Sequence, residues 1–521
     1  MSTFRRRTRV LTCLAAVSAV GLLPACAASQ DQAAAKGQAG SKEIDVAYSQ
    51  PLNTLDPIRA DQNQTNTIDD TVYDTLLAYD TDSKLVPSVA KEFTLAKDAR
   101  SITLTLRDDV KFHDGSTLTA DDVQYTLDRY KRVGQGIASA LGVYKSTTIK
   151  DPTHLTINLT EPNSRFVSWL SKFYLLDKKL LTSNAGNDDG QTWLHSHDAG
   201  SGPFAIDQGK DPVKVTRFDK YWQYDASRPT AIVFKQIAES PTKRDELKAG
   251  NLDVALTLQA PDAKALETAD GVKVDYLNVP NTAYMFMNAA QGPTANPVVR
   301  KALALAYNYS AGLSEIRAGK GKIENGPLPQ TMSCLVDSPQ FSQNLDQAKS
   351  LLQQAGISNL KLVLRFQPSI TDMVRESTLF QSDLRKIGVD LQLQPIAFPD
   401  YLSSLSSVKT IPELTLVQDT APSPDAGVYL AKSYDSQAIG TTNRAGYKNA
   451  KVDALLTQAD ATSDENARCE LYKQIQTQIN TDVPAIDMYT LSAPVAYRSD
   501  LTGIVASQTV YPVSLRGVRV G

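Results

Sequence analysis

Four cysteines in 521 residues are too few to staple a scaffold together, and none stands in a CxxC or Cys/His spacing that would hold zinc. Histidine is as scarce: His113, His154, His195 and His197 are the only four. There is no GxSxG elbow, no SxxK set and no HExxH, so the common hydrolase motifs are missing. "GKGKIENGPLP" lacks the GK[ST] ending of a phosphate-binding loop. Basic patches interleaved with aromatics are also missing, and the formal charge is −3, which removes the footprint of a nucleic-acid binder. No catalytic residue, metal ligand set or cofactor motif emerges. His195 and His197, in a polar stretch after Trp193, read as surface residues.

What is present begins with an export signal. Arg5, Arg6, Arg7 and Arg9 lead into an apolar run from Val10 to Leu23, too short for a stable membrane span, and then into small residues and Cys26. Leu23-Pro24-Ala25-Cys26 resembles the lipobox of bacterial lipoproteins, which marks Cys26 for acylation. A plain signal peptide with a chance cysteine is the alternative, and export through the Sec or the twin-arginine route stays open. Several acyl chains on one residue anchor stably where a single chain does not. Residues 27–42 are small and polar and read as a flexible tether. The expectation is a protein outside the cell, tied to the outer face of the cytoplasmic membrane. With Cys13 removed and Cys26 lipidated, Cys334 and Cys469 remain as two thiols in an oxidising compartment, and pairing is expected.

The body is mixed α and β and too long for one core. "SITLTLRDDV" (101–110), "HLTINLT" (154–160), "VKVTRF" (213–218), "AIVFKQI" (231–237), "LKLVLRF" (360–366), "DLQLQPIAF" (390–398) and "ELTLVQD" (413–419) alternate or are β-branched, as strands do. Helical spacing runs through 298–319, 345–356, 373–388 and 452–482, with Gly356 and Gly388 at expected stops. One acid-rich stretch, "DDVKFHDGSTLTADDVQYTLDRY" (108–130), could pass for a catalytic cluster. It reads instead as a strand, an Asp114-Gly115 turn and a helix with Thr119 as N-cap and Asp121 and Asp122 in its first turn. His113 beside the turn acid reads as a packing and hydrogen-bonding residue.

Several ordered blocks carry a resemblance. "YSQPLNTLDPIRA", "LRDDVKFHDG…ADDV", "GSGPF" (200–204), "RDELKAGNLDVA", "NPVVRKALALAYN", "GPLPQTM" and the final "ARCELYKQIQTQINTDVPAIDMY" follow one another as in the large solute-binding proteins of ABC importers. That group is the oligopeptide, dipeptide and nickel binding lipoproteins, extracellular solute-binding protein family 5. The resemblance implies an α/β, two-lobed periplasmic-binding-protein-like fold with an extra subdomain in the first lobe and a hinge of two chain crossings. It places the signal at 1–25 and the tether at 26–42. The first lobe becomes 43–280 with 492–521, its subdomain about 70–200, and the second lobe 281–491. It implies capture of a small solute or peptide in the interlobe cleft and delivery to ABC permease subunits, by a monomer that uses no cofactor. In the peptide binders an acid after a second-lobe strand pairs with the ligand's α-ammonium. Here Asp419 holds that place, and Asp425 is the alternative if the loop is aligned from its far end. A nickel complex, an opine or a sugar is another possible solute. A ligand-sensing receptor and a surface hydrolase are the other function classes.

Overall fold

The computed structural model describes residues 42–506 and 513–521. The export signal, the tether and Cys26 lie outside the described residues.

The alternating stretches form strands at Ser101–Leu106, His154–Leu159, Val213–Arg217, Ala231–Gln236, Lys361–Phe366, Asp390–Pro395 and Leu414–Thr420. Two helical stretches are interrupted where a polar side chain outcompetes the helix. Pro297–Ala306 stops before Asn308, whose side chain accepts from the Ala311 N–H while its own N–H donates to Asp383. The 452–482 stretch becomes Ala450–Asp460 and Glu465–Asp482, because Asp464 caps the second helix by accepting from the Ala467 N–H.

Among the described residues, eleven strands form one sheet. From one edge it runs through Asp390–Pro395, Lys361–Phe366, Leu414–Thr420, Val272–Met287, Ala485–Arg498 and Val254–Ala255. It continues through Glu43–Tyr48, Ala231–Gln236, Val213–Arg217 and Phe204–Gln208, and Gly321–Ile323 pairs with Ala485–Arg498 off that path. Burial divides the sheet into two lobes. One apolar core draws on residues from Ile44 to Leu256 and resumes at Val495. Two others cover opposite faces of the sheet between Ala283 and Leu491. Phe286 and Tyr284 point into one of these layers and Met285 and Ala283 into the other, the period of two that a strand imposes. The chain passes between the lobes twice, as the antiparallel pair Val272–Met287 and Ala485–Arg498, and the ladder breaks register between Asn278 and Thr282. Such an irregularity locally disrupts the ladder where the chain passes from one lobe to the other.

The acid-rich stretch is scaffold. The Asp122 carboxylate accepts from the Thr119 N–H at 2.8 Å and from its hydroxyl at 2.9 Å, closing a capping box. His113 is half-buried, and its partner is Asp198 at 2.5 Å, not the neighbouring turn acid. Burial opposes its charge, yet Asp198 carries the imidazole pKa above its usual range. The "GSGPF" turn is glycine for a steric reason: a Cβ on Gly200 or Gly202 would strike the Val72 backbone at 2.2 or 2.6 Å. His195 and His197 are exposed, with His197 stacked on Trp193.

Candidate functional site

The lobes meet across two cavities. One, of about 360 Å³, lies between Thr81, Asp82 and Ser83 of the first lobe and Lys322, Gln330 and Thr331 of the second, with Asn278 and Thr490 of the crossing strands in its wall. The other, of about 450 Å³, lies between Ser139, Arg165 and Trp169 on one side and Pro422, Val428 and Lys432 on the other. Both are in the size range of small-ligand sites, and clefts between lobes are favoured places for them.

Direct contacts border the larger cavity. The Arg165 guanidinium donates twice to Asp460, at 2.5 Å each, and Ser164 donates from its N–H and its hydroxyl to the carbonyls of Asp460 and Ala459 at 2.9 Å. Ser168 donates to Asp425 at 2.6 Å. The bidentate pair is the strong member of this set, because its planar fork fixes geometry as well as charge.

Asp419 closes the strand Leu414–Thr420, opposite Thr282 on the crossing strand. It is buried and already has company. Lys432 Nζ lies 2.9 Å from both carboxylate oxygens, and Arg444 donates to Oδ1 at 3.1 Å. Burial alone would raise the Asp419 pKa, but the two cations hold it below the ordinary carboxylate range. A carboxylate offers about four lone-pair directions, and three are used here, so Oδ2 keeps one. Asp425 caps the helix Ala426–Tyr434, accepting from the Val428 N–H at 3.0 Å, and spends its other oxygen on Ser168. Lys432 links the Asp419 cluster to the larger cavity, whereas Asp425 lies at the lobe-to-lobe seam.

Arg165, Lys432, Arg444 and Glu324 are charges at or near the cleft that no motif announced. Their partners lie 13 to 295 positions away in sequence, and no local spacing marks them. The structure also joins Cys334 to Cys469, with their Cα atoms 5.2 Å apart, at the edge of one second-lobe core. No three His, Cys, Asp or Glu side chains gather to hold a metal among the described residues. No helix among them is long and apolar enough to cross a membrane.

The profile of the bacterial extracellular solute-binding proteins, family 5 Middle, matches residues 84–441. The chain belongs to this family. A probable D,D-dipeptide-binding periplasmic protein, DdpA of Escherichia coli K12, is 26% identical over 467 residues, covering 87% of this chain and 89% of that protein. The glutathione-binding protein GsiB of Pectobacterium atrosepticum is 27% identical over 477 residues, covering 89% of this chain and 91% of its own. Among solved structures, the substrate-binding protein CtaP of Listeria monocytogenes superposes with a TM-score of 0.83 at 21% identity, covering 92% of this chain and 99% of that one. A dipeptide-binding protein of Pseudoalteromonas sp. SM9913 in complex with Met-Leu gives 0.78 at 21% identity, covering 92% and 100%. The two-lobed binding-protein fold and a solute-binding role outside the cytoplasm follow from this membership. The family and these relatives are binding proteins.

Proposed function

We propose that this chain is the lipid-anchored, monomeric capture subunit of an ABC importer for di- or oligopeptides. It holds its ligand between the lobes, hands it to membrane permeases and transforms nothing. The observation that carries the reading is the pair of cavities between two lobes whose chain crosses in two paired strands. Hinge closure about such a crossing is how binding proteins trap a solute. The relatives named for dipeptides, glutathione and peptides favour a peptide over a nickel complex, an opine or a sugar.

In this reading residues 1–25 are the signal, Cys26 carries the lipid and 26–42 is the tether. Residues 43–280 with 492–521 form the first lobe, and 281–491 form the second. Asp419 is the first choice for the ligand ammonium and Asp425 the second. An ammonium at Asp419 takes the one lone pair left on Oδ2 or displaces Lys432, because three cations around one carboxylate repel. Calorimetry with a defined dipeptide set and the N-acetylated forms tests this. Peptides should bind the wild type, and loss of the ammonium or the Asp419→Ala change should weaken them about tenfold or more. Equal affinities for all forms in Asp419→Ala, Asp425→Ala and wild type reject ammonium pairing. No peptide binding to the wild type rejects the solute class and leaves capture and transport in place.

A further inference from the structure

Most buried acids of the second lobe have a cation. Asp419 has Lys432 and Arg444, Glu376 has Arg317, and Asp383 has Lys386. Among the described residues, the buried Glu324 and the half-buried Asp487 have none. Glu324 is 1% exposed, directly after the strand Gly321–Ile323. Its Oε1 accepts from Thr282 at 3.0 Å and from the Thr490 hydroxyl, Gln330 acts on the carboxylate from its backbone and side chain, and Oε2 has no close partner. Asp487 stands on the crossing strand opposite Tyr284, and its Oδ1 is buried without a partner.

On one helix, Ala426–Tyr434, the Tyr434 hydroxyl is buried without a partner, and those of Tyr429 and Ser433 have only each other and Tyr284 nearby. Tyr429, Ser433 and Tyr434 are 0%, 1% and 0% exposed. Tyr284, the cross-strand neighbour of Asp487, stacks on Tyr429 with ring centroids 6.0 Å apart, and Tyr434 belongs to the same core layer. Glu324 stands beside the cleft. Its partner Thr490 and the nearby Lys322 and Gln330 line the 360 Å³ interlobe cavity.

Native interiors rarely leave so many polar atoms unsatisfied, and each orphan costs about 1–3 kcal/mol. The complement of two carboxyls and several tyrosine faces is a positive group with hydrogen-bond donors or a small bare cation. We infer that the second lobe carries, behind the interlobe cavity, a site for a monocation held by Glu324, Asp487 and the phenols of Tyr429 and Tyr434. The occupant is an ammonium or guanidinium of the captured solute, or an alkali ion. A divalent or transition metal would need more ligating groups than these two acids supply.

In the ligand case the inference rests on the capture role proposed above and gives that solute a basic group. Burial raises the pKa of both acids, so capture displaces a proton and tightens as pH rises. The charges facing the site are Lys322 at the cavity mouth and Asp419 beyond Tyr429.

Calorimetry and thermal shift on the full chain in dilute buffer without added salt test the site with four probes: agmatine, Ala-Lys-Ala, its norleucine analogue, and sodium or potassium chloride. The wild type should prefer Ala-Lys-Ala over the norleucine peptide by about tenfold or more, and Asp487→Asn should abolish that preference while still binding the norleucine peptide. A shift produced by sodium or potassium in wild type and lost in Asp487→Asn assigns an alkali ion. If neither tripeptide binds but agmatine or an alkali ion still gives a shift that depends on Asp487, the peptide reading falls and this site stands. Equal response of wild type and Asp487→Asn to every cation, or no response at all, overturns the site. Glu324→Gln is the second variant, and it must reproduce the loss if Asp487→Asn fails to fold.

Discussion

Glu324 ties stability to pH in a direction opposite to that of an ion-paired acid. Burial lifts its carboxyl from an ordinary 4.5 to about 7, against the pull of the Thr490 and Thr282 hydroxyls. In the unfolded chain the value returns to the ordinary one. Between those two values the folded protein holds the proton more tightly than the unfolded chain does. Stability therefore falls as pH rises from about 4.5 to about 7 and levels off above. At about 1.4 kcal/mol per pH unit the loss reaches about 3 kcal/mol. Glu324→Gln keeps an oxygen for the two hydroxyls and removes the proton equilibrium. The stability difference between wild type and variant should then change by about 3 kcal/mol between pH 4.5 and pH 7.5, in favour of the variant at the higher pH. Urea unfolding followed by far-UV circular dichroism is the assay, because Trp169, Trp193 and Trp222 all lie in the first lobe and would report on it alone. Asp419 and Asp198, whose pKa values are lowered, impose slopes of the other sign, but both proteins share them and they cancel in the difference. Asp487 loses a repelling neighbour in the variant, which adds to the effect with the same sign. A difference that stays constant over this range refutes the buried, proton-holding Glu324.

Arg165→Ala removes the bidentate contact between the lobes and strands Asp460. Solute affinity should fall about tenfold, and small-angle scattering should show a larger radius of gyration with solute present. An unchanged affinity and radius would mean the pair does not hold the lobes together. For Cys334 and Cys469, thiol titration of the denatured, unreduced mature chain should find neither reactive. A loop of 135 residues puts the upper figure for the stabilisation lost with Cys469→Ser at roughly 4–5 kcal/mol. Two reactive thiols refute the pairing. Cys26→Ser should yield protein without acyl chains that leaves the membrane fraction, and ordinary acylation and retention in the variant reject Cys26 as the anchor.

The strands and most helices were legible because their signal is local. The alternation in "SITLTL" and "KLVLRF" places one face of each strand in a core whatever lies beyond it, and Thr119 with Asp122 closes its capping box within four residues. The breaks at Asn308 and Asp464 were less legible, since apolar spacing continues through both and only the capping hydrogen bonds end the helix. Asp419 could be picked out as the acid after a second-lobe strand. Its electrostatic state could not, because Lys432 and Arg444 arrive from 13 and 25 positions further on and are placed by a helix and a loop. His113 shows the same limit: the adjacent acid suggested a partner, and packing supplied Asp198, 85 positions away. Glu324 carried no signal at all inside "GKGKIENGPLP". Its environment is made by Thr282 and Thr490 on two strands that the chain lays down 42 and 166 positions away. Periodicity and caps are read over a few residues, so sequence alone determined the elements. Burial and charge pairing depend on which distant elements share a face, so only the tertiary structure decided which acids meet a cation and which are left without one.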